Sequence, residues 1–223
     1  MSWRSSSRKQ TKRERDADLM RLLLVRHGES VGNSENRLQG QAEYDLTDLG
    51  RRQAEATGRR LAEMGVTAVY SSPLRRAQHT AQACAAHLGI EARLDEALSE
   101  YHFGEMSGST YQEVRERLGV ATAPAERVYP GEEGRDNFFA RVTTAVWRIA
   151  DEHAGETVAV ISHGGPIALL CQSVLGLPYK RPMPFVIGNA SICAIDVNDD
   201  ANLERANRSV LTRLNDAYHL RGI

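Results

Sequence analysis

The stretch RLLLVRHGE, at residues 21–29, decides the fold of this chain. It contains an apolar run without a charged residue between Arg21 and Arg26, which is typical of a strand buried on both faces. Two similar runs follow, VTAVYS at residues 66–71 and TVAVIS at residues 157–162. Continuous apolar strands of this kind predict a mostly parallel central sheet that is flanked by helices on both faces.

Amphipathic segments between the strands predict the helices. Thr47 is a candidate N-cap for a helix over residues 48–64, and Ser72 with Pro73 predicts the start of a helix that continues to about Leu88. Further helices are expected at residues 111–118, 136–153 and 164–175, and further strands at 90–94, 190–197 and 209–214. The alternation favours an α/β fold with a small lid-like insertion at about 105–135, where glycine and proline are frequent.

Length and composition favour one domain. The chain has 223 residues, of which 41% are hydrophobic and 26% charged, and this suffices for a substantial core. Residues 1–19 carry six lysines and arginines against three acids. We therefore expect a basic, disordered leader at 1–19 and a single α/β domain at 20–223, with translation starting at Met20 as an alternative.

Charge and cysteine content exclude several functional classes. Lysine and arginine total 28 against 29 aspartates and glutamates, so the chain has no global basic field for nucleic acid. The longest apolar runs, such as residues 22–25, are too short to span a membrane. Cys84, Cys171 and Cys193 are widely spaced, so no metal site is expected, and small buried thiols fit a reducing cytoplasm. We expect a cytoplasmic globular protein without nucleic-acid or membrane partners.

Three of the predicted strands end in groups that suit a phosphoryl unit. These ends read RHGE at residues 26–29, SSPLRRA at 71–77 and SHG at 162–164. Ligands of such folds bind beyond the carboxyl ends of the strands, so two imidazoles and at least two guanidiniums are expected to meet in one pocket. Guanidinium groups match phosphate oxygens in geometry. Taken alone, a histidine after a strand is more often structural, and an arginine at a helix start is usually a solvated surface charge. Their joint occurrence at three strand ends is what favours a phosphoryl site.

These motifs resemble the histidine phosphatase superfamily, also called the phosphoglycerate mutase-like family. The resemblance covers residues 20–220 and keeps the order of its motifs. These are LVRHGESVGN (24–33), Gln39-Gly40, SSPLRRAQHTA (71–81), LSEYHFG (98–104), VISHGG (160–165), NASI (189–192) and LNDAYHL (214–220). One position departs from the family, because Met106 stands where an aromatic residue is often found, and this affects the expected shape of the pocket rim.

The resemblance implies a role for each matching residue, and it implies no metal and no cofactor. His27 is the nucleophile that becomes a transient phosphohistidine, and Glu100 is the acid and base. The groups around the phosphoryl unit are Arg26, Arg76 and His163, and the substrate-binding residues are Asn33, Gln39, Gly40 and Gly164. Arg75, the neighbour of Arg76, is expected to face outward.

Elementary chemistry supports these roles. A neutral imidazole nitrogen can attack phosphorus without losing a proton first, provided that the other nitrogen has an acceptor, for which a backbone carbonyl near Gly28 is suitable. Fixed donors stabilise the charge that spreads over the equatorial oxygens. The alkoxide that leaves is strongly basic, and a carboxyl group beside a phosphate dianion, such as that of Glu100, holds the proton it needs.

Three functions remain in competition: a phosphomonoesterase acting on a small phosphate ester, a cofactor-dependent phosphoglycerate mutase, and a noncatalytic phospho-ligand binding protein. No member of the catalytic set is missing, which disfavours the third. The mutases of the family carry a longer, basic insertion after the Glu100 motif, which favours the phosphatase. We expect Tyr101, Phe103, Tyr111 and the loop at 124–136 to shape the entrance. The substrate stays open, as does the oligomeric state, with a homodimer as one option.

Overall fold

The computed structural model describes residues 19–118, 129–178, 184–198 and 209–223. The strands in these ranges are β1 (Met20–Arg26), β2 (Ala68–Ser71), β3 (Ala92–Leu94), β4 (Thr157–Ser162), β5 (Ile192–Val197) and β6 (Ser209–Asp216). The helices are α1 (Val31–Ser34), α2 (Asp48–Glu63), α3 (Arg75–Leu88), α4 (Tyr111–Leu118), α5 (Arg135–Glu152) and α6 (Gly164–Val174). The predicted leader up to residue 18 and residues 119–128 of the predicted insertion lie outside the described residues.

The six strands form one sheet in the order β3–β2–β4–β1–β5–β6. Strand β1 pairs in parallel with β4, from Arg21 opposite Thr157 to Arg26 opposite Ser162. Strand β2 is parallel to both β4 and β3. Strands β5 and β6 are antiparallel and form one edge of the sheet. The mostly parallel central sheet predicted from the sequence is confirmed, and the carboxyl ends of β1, β2 and β4 lie at the same edge.

Alternate residues of β1 enter two separate cores. Leu22 and Leu24 pack into a cluster with residues of α5 and α6, whereas Leu23 and Val25 pack into a second cluster with residues of α2 and α3. All four side chains have no exposed surface. Burial of each one contributes about 1.5–3 kcal/mol to folding, so the alternation of β1 holds helices on both faces of the sheet.

Helix α3 begins later than the sequence predicts. Ser72 is not its N-cap, because Leu74 occupies that position and no side chain caps the helix there. The carboxylate of Glu43 instead accepts a hydrogen bond from the Arg75 N–H at 2.9 Å. The hydroxyl of Ser72 is buried and bonds within the site described below. Three non-helical residues, 72–74, therefore separate the end of β2 from the start of the helix.

Two glycines allow the loop after β1 to lie directly against α2. A Cβ atom on Gly28 would lie 2.5 Å from the carbonyl oxygen of Gly50, and a Cβ atom on Gly50 would overlap the Glu29 carbonyl. The loop is also held by the Thr80 hydroxyl, which accepts the Gly28 N–H at 3.0 Å. Contact with α2 and α3 thus determines where the residue before Gly28, which is His27, is placed.

None of the helices in the described part of the chain combines the length and the apolar character needed to cross a bilayer. Cys84, Cys171 and Cys193 are free thiols and are buried. The cytoplasmic location expected from these thiols stays a prediction.

Candidate active site

The carboxyl ends of β1, β2 and β4 border a cavity of about 310 Å³. Seven of the nine predicted catalytic and substrate-binding residues line it, namely Arg26, His27, Asn33, Gln39, Gly40, Arg76 and Glu100. His163 is fully buried next to His27, with 5.1 Å between the ring centroids. The last predicted residue, Gly164, is not part of the lining, whereas its neighbour Gly165 is.

His27 is held as a neutral imidazole with one nitrogen available for attack. Its side chain is 2% exposed, and its Nδ1 lies 2.7 Å from the carbonyl oxygen of Gly28. Burial lowers the pKa of His27 well below its usual value, and the positive charges of Arg76 and Arg26 lower it further. The Gly28 carbonyl accepts the proton on Nδ1, so Nε2 carries the lone pair. This is the protonation state that a nucleophile needs.

Arg26 and Arg76 are anchored by backbone carbonyls and keep donors for a ligand. Arg26 donates from Nη1 to the carbonyl of Ile187 at 2.6 Å, and Arg76 donates from Nη1 and Nη2 to the carbonyls of Ala42 and Gly40 at 2.8 and 2.6 Å. The Nε atom of each arginine is buried without a hydrogen-bond partner in the described structure. Both groups line the cavity, so both can donate to an anion there.

Burial lowers the pKa of Arg76 to about 10, while the nearby Glu100 carboxylate acts in the opposite direction. Burial likewise lowers the pKa of Arg26. A guanidinium with a pKa of about 10 is still charged at neutral pH. The cavity therefore holds a buried positive charge on Arg76 beside a neutral imidazole, which is an environment that attracts a phosphate group.

Glu100 is positioned by backbone groups. Its Oε1 accepts the Tyr101 N–H at 2.8 Å and its Oε2 accepts the Gly165 N–H at 3.1 Å. A Cβ atom on Gly165 would collide with this carboxylate, so only glycine leaves room for it. The backbone around Glu100 is held by Arg141, which donates to the carbonyls of Ala97 and Ser99 at 2.9 and 3.0 Å.

A network of amides orders the side of the cavity next to His27. The Oδ1 atom of Asn33 accepts hydrogen bonds from the Ser30 N–H at 3.1 Å and from Asn189 Nδ2 at 3.0 Å. Asn189 Nδ2 also lies 3.1 Å from the carbonyl oxygen of His27. The Ser30 hydroxyl lies 2.8 Å from Oε1 of Gln39. With their oxygens occupied, Asn33 and Gln39 have NH₂ groups that can donate to substrate oxygens.

Sequence reasoning missed several supporting residues. Ser72 was interpreted as a helix cap, and neither Arg141 nor Asn189 received a role. Asn189 begins the motif NASI and directly precedes a predicted strand. This position is the signal in the sequence that could have indicated a role for Asn189. Arg141 lies among helical residues whose pattern indicates only which face is apolar, so its contact with the Glu100 segment required the structure.

The rim of the cavity agrees with the sequence prediction in part. Phe103 and Tyr111 line the cavity, together with Tyr129 from the predicted entrance loop. Tyr101 does not, because it is 1% exposed and packs in the core against Phe138. Met106 is also a core residue, at 3% exposure. Its departure from the family pattern therefore affects core packing and not the rim.

No cluster of three or more histidine, cysteine or acidic side chains that could hold a metal ion occurs within the described ranges. The cationic groups at the cavity are those of Arg26, Arg76 and Arg37. Arg37 lies at the rim and is paired with Glu35.

Stability is expected to fall as the pH drops from 7 to 5, in part through His27 and His163. Burial is the main cause that lowers the pKa of both groups well below 6.5 in the folded state. The unfolded chain then binds more protons than the folded chain below about pH 6.5, and each group contributes a loss of up to about 1.4 kcal/mol per pH unit. Urea unfolding at several pH values measures this slope.

The His27→Ala variant isolates one of these two contributions. Its free energy of unfolding should depend less steeply on pH than that of the wild type between pH 5 and 6.5. His79→Ala, a change outside the cavity lining, should keep the wild-type slope. Parallel curves for the wild type and His27→Ala would show that the buried imidazole does not resist protonation.

Comparison with known proteins identifies the family. The model of the histidine phosphatase superfamily (branch 1) matches residues 22–208. The chain therefore belongs to the histidine phosphatase superfamily, as its motifs predicted, and its α/β fold is the fold of its structural neighbours.

Individual relatives differ in their named activities. A phosphoglycerate mutase-like protein 4 of Arabidopsis thaliana is 40% identical over 177 residues, which cover 76% of this chain and 74% of the relative. The solved structure of a mycobacterial glucosyl-3-phosphoglycerate phosphatase with VO3 is 32% identical, with a TM-score of 0.72 over 78% of this chain and 92% of the other. The alpha-ribazole phosphatase of Shigella flexneri is 26% identical, with a TM-score of 0.75 over 88% of this chain and 96% of the other.

Proposed function

We propose that this protein is a phosphomonoesterase that acts on a small phosphorylated metabolite through a phosphohistidine at His27. The observation that carries the proposal is a set of buried nitrogens without partners, which are donors in Arg26 and Arg76 and, in its Nδ1–H tautomer, in His163. Nε of Arg26, Nε of Arg76 and Nδ1 of His163 have no hydrogen-bond partner in the described residues. Unpaired buried donors cost about 1–3 kcal/mol each, and a phosphoryl group bound next to His27 would accept from them.

The first step transfers the phosphoryl group to the enzyme. Nε2 of His27 attacks phosphorus with its lone pair, and the bond between phosphorus and the ester oxygen breaks. The proton stays on Nδ1 and its hydrogen bond to the Gly28 carbonyl stabilises the positive charge that the ring acquires. Glu100, which lines the same cavity, gives a proton to the departing oxygen. Arg26 and Arg76 stabilise the charge on the equatorial oxygens.

The second step returns the enzyme to its starting state. The Glu100 carboxylate formed in the first step removes a proton from a water molecule, and the water oxygen attacks phosphorus. The bond between phosphorus and Nε2 then breaks, which releases inorganic phosphate and restores the neutral imidazole. The Gly165 and Tyr101 N–H groups hold the carboxylate in one place through both steps. One carboxyl group can therefore serve first as acid and then as base.

A mutase is the second candidate, because the Arabidopsis relative carries a phosphoglycerate mutase-like name. In a mutase the phosphoryl group returns to a substrate oxygen instead of to water. Two observations favour hydrolysis. The segment after the Glu100 motif is short, and two structural neighbours are named as phosphatases.

A panel of phosphomonoesters tests the proposal. We expect the purified enzyme to release inorganic phosphate from at least one small ester, including phosphoglycerates, sugar phosphates and phosphoserine, and to show no mutase activity above its hydrolysis rate. Two guanidiniums supply the positive charge, so the activity should survive prolonged chelation, and vanadate should inhibit competitively. Transfer between positions of phosphoglycerate that exceeds phosphate release would establish the mutase instead, and loss of activity on chelation would refute the charge assignment.

A further inference from the structure

Ser72 contacts His163 through a hydrogen bond that the mechanism above does not use. Oγ of Ser72 lies 2.9 Å from Nε2 of His163, and neither side chain has exposed surface. The same oxygen accepts the Leu74 N–H at 3.3 Å and lies 3.4 Å from Oγ of Ser99. Since Ser72 directly follows β2, the strand end that leads to Arg76 also delivers this hydroxyl.

The Ser72 hydroxyl has one proton and two lone pairs, so two arrangements of donors and acceptors satisfy it. In the first, Ser72 accepts from Leu74 and Ser99 and donates to Nε2 of His163. In the second, Nε2 of His163 donates to Ser72, and Ser72 donates to Ser99. Both arrangements retain the contact between Ser72 and His163, which is shorter than the contact between Ser72 and Ser99. They differ at the other ring nitrogen of His163, because Nδ1 carries the proton in the first arrangement and a lone pair in the second.

We propose that Ser72 is a positioning residue that donates its proton to Nε2 of His163, which places the imidazole's own proton on Nδ1 for donation to the transferring phosphoryl group. This inference rests on the proposed function, since it requires a phosphoryl group beside His27. Nδ1 of His163 is buried and has no hydrogen-bond partner in the described part of the chain. Phosphoryl oxygens can only accept, so a bare lone pair on Nδ1 would repel them.

His163 is a neutral imidazole in this environment, so its tautomer decides whether Nδ1 can donate a hydrogen bond. Burial, together with the charges of Arg76 and Arg26, lowers the pKa of His163 well below its usual value. A neutral imidazole has a single N–H, and the partner of one nitrogen decides whether the other carries it. A neutral donor also adds no further full charge next to His27, whose lone pair must stay free. Ser72 thus determines whether His163 stabilises the phosphoryl group or opposes it.

The tautomer can be measured in the resting enzyme by NMR of protein with ¹⁵N-labelled histidine, with the His163 signals assigned through a His163→Asn variant. We expect the wild type to carry its proton on Nδ1. In Ser72→Ala the fraction of the Nε2–H tautomer should rise, and Ser72→Thr, which keeps the hydroxyl, should restore the wild-type spectrum. A wild-type proton on Nε2 would overturn the proposal without reference to any variant.

Kinetics and ligand binding supply the second readout. Ser72→Ala should lower kcat/KM by about 10- to 100-fold, which is less than the loss of a direct donor, and should weaken binding of inorganic phosphate. The matched control is Ser71→Ala. Ser71 is equally buried, and its hydroxyl donates to the carbonyl of Ser72 at 2.8 Å but not to His163. The Ser71→Ala variant therefore loses a buried hydrogen bond without affecting the contact with His163. Its activity and phosphate affinity should stay within about threefold of wild type once both variants are shown to be folded.

The outcomes separate this inference from the proposed function. An unchanged tautomer and unchanged phosphate affinity in Ser72→Ala would overturn the role of Ser72, even if the enzyme is a phosphatase. Equal losses in Ser71→Ala and Ser72→Ala would do the same, because they would show a purely structural effect. A tautomer that follows the Ser72 hydroxyl would support the inference even if the ester panel revealed a mutase, since both reactions pass through the same phosphoryl transfer.

Discussion

His27→Ala is expected to abolish turnover, with a loss in kcat of at least about 10³-fold, because no other group takes the place of the nucleophile. The variant should fold, since it loses one hydrogen bond to the Gly28 carbonyl and leaves the surrounding core residues in place. Rapid quenching of the wild type with labelled substrate should trap phosphate on His27 in a form that is stable in alkali and labile in acid.

His79→Ala provides the matched control, because this histidine lies on α3 and does not line the cavity. It should keep both labelling and turnover. Circular dichroism and thermal unfolding establish that each variant is folded before rates are compared. Label on a serine, or substantial turnover by His27→Ala, would remove His27 from the role of nucleophile.

Glu100→Gln is expected to discriminate between substrates by their leaving groups. An alkyl phosphate needs a proton on the departing oxygen, so its kcat/KM should fall by about 10²- to 10⁴-fold. The phenolate of an aryl phosphate with an acidic phenol leaves without a proton from the enzyme, so kcat/KM for this substrate should fall by less than about tenfold. This parameter reports the first phosphoryl transfer, and water activation in the second step affects kcat separately.

Arg76→Ala should instead lower kcat/KM for both substrates alike, by about 10²- to 10³-fold, because phosphoryl charge develops in both transition states. Arg75→Ala is its control, since the neighbouring side chain is 58% exposed and does not line the cavity. It should leave both rates near wild type. If Glu100→Gln slowed the two substrates equally, Glu100 would not be the acid.

Much of the fold could be predicted because the central strands β2 and β4 and the middle of β1 are continuous apolar runs. Strand β4 was predicted with its observed ends, Thr157–Ser162, and the helix at Tyr111–Leu118 was predicted with its observed ends as well. The antiparallel edge was not predicted. Strand β5 is buried along its whole length and apolar except for Asp196, and such a pattern does not indicate whether the strand pairs in parallel or antiparallel.

Some residues of the candidate site could be predicted from the sequence and others could not. The position of Arg26 and Arg76 at the cavity could be predicted, since parallel strands bring their ends and the residues that follow them together. Residues that act through another side chain could not. Ser72 followed by proline has the sequence signature of a helix start, and only the distance to His163 shows that its hydroxyl is used elsewhere. Long-range contacts of this kind leave no local pattern in the sequence.

The position of β1 in the sheet has a consequence for how the protein is made on the ribosome. This strand emerges early, yet both of its neighbours come late, and the ion pair that joins Arg21 to Asp196 spans 175 positions. Until β4 and β5 have been synthesised, the apolar strand β1 has two unpaired edges, and unpaired apolar strand edges favour association of the nascent chain. Because His27 follows the central strand β1, the same arrangement makes the candidate site one of the last parts of the protein to form.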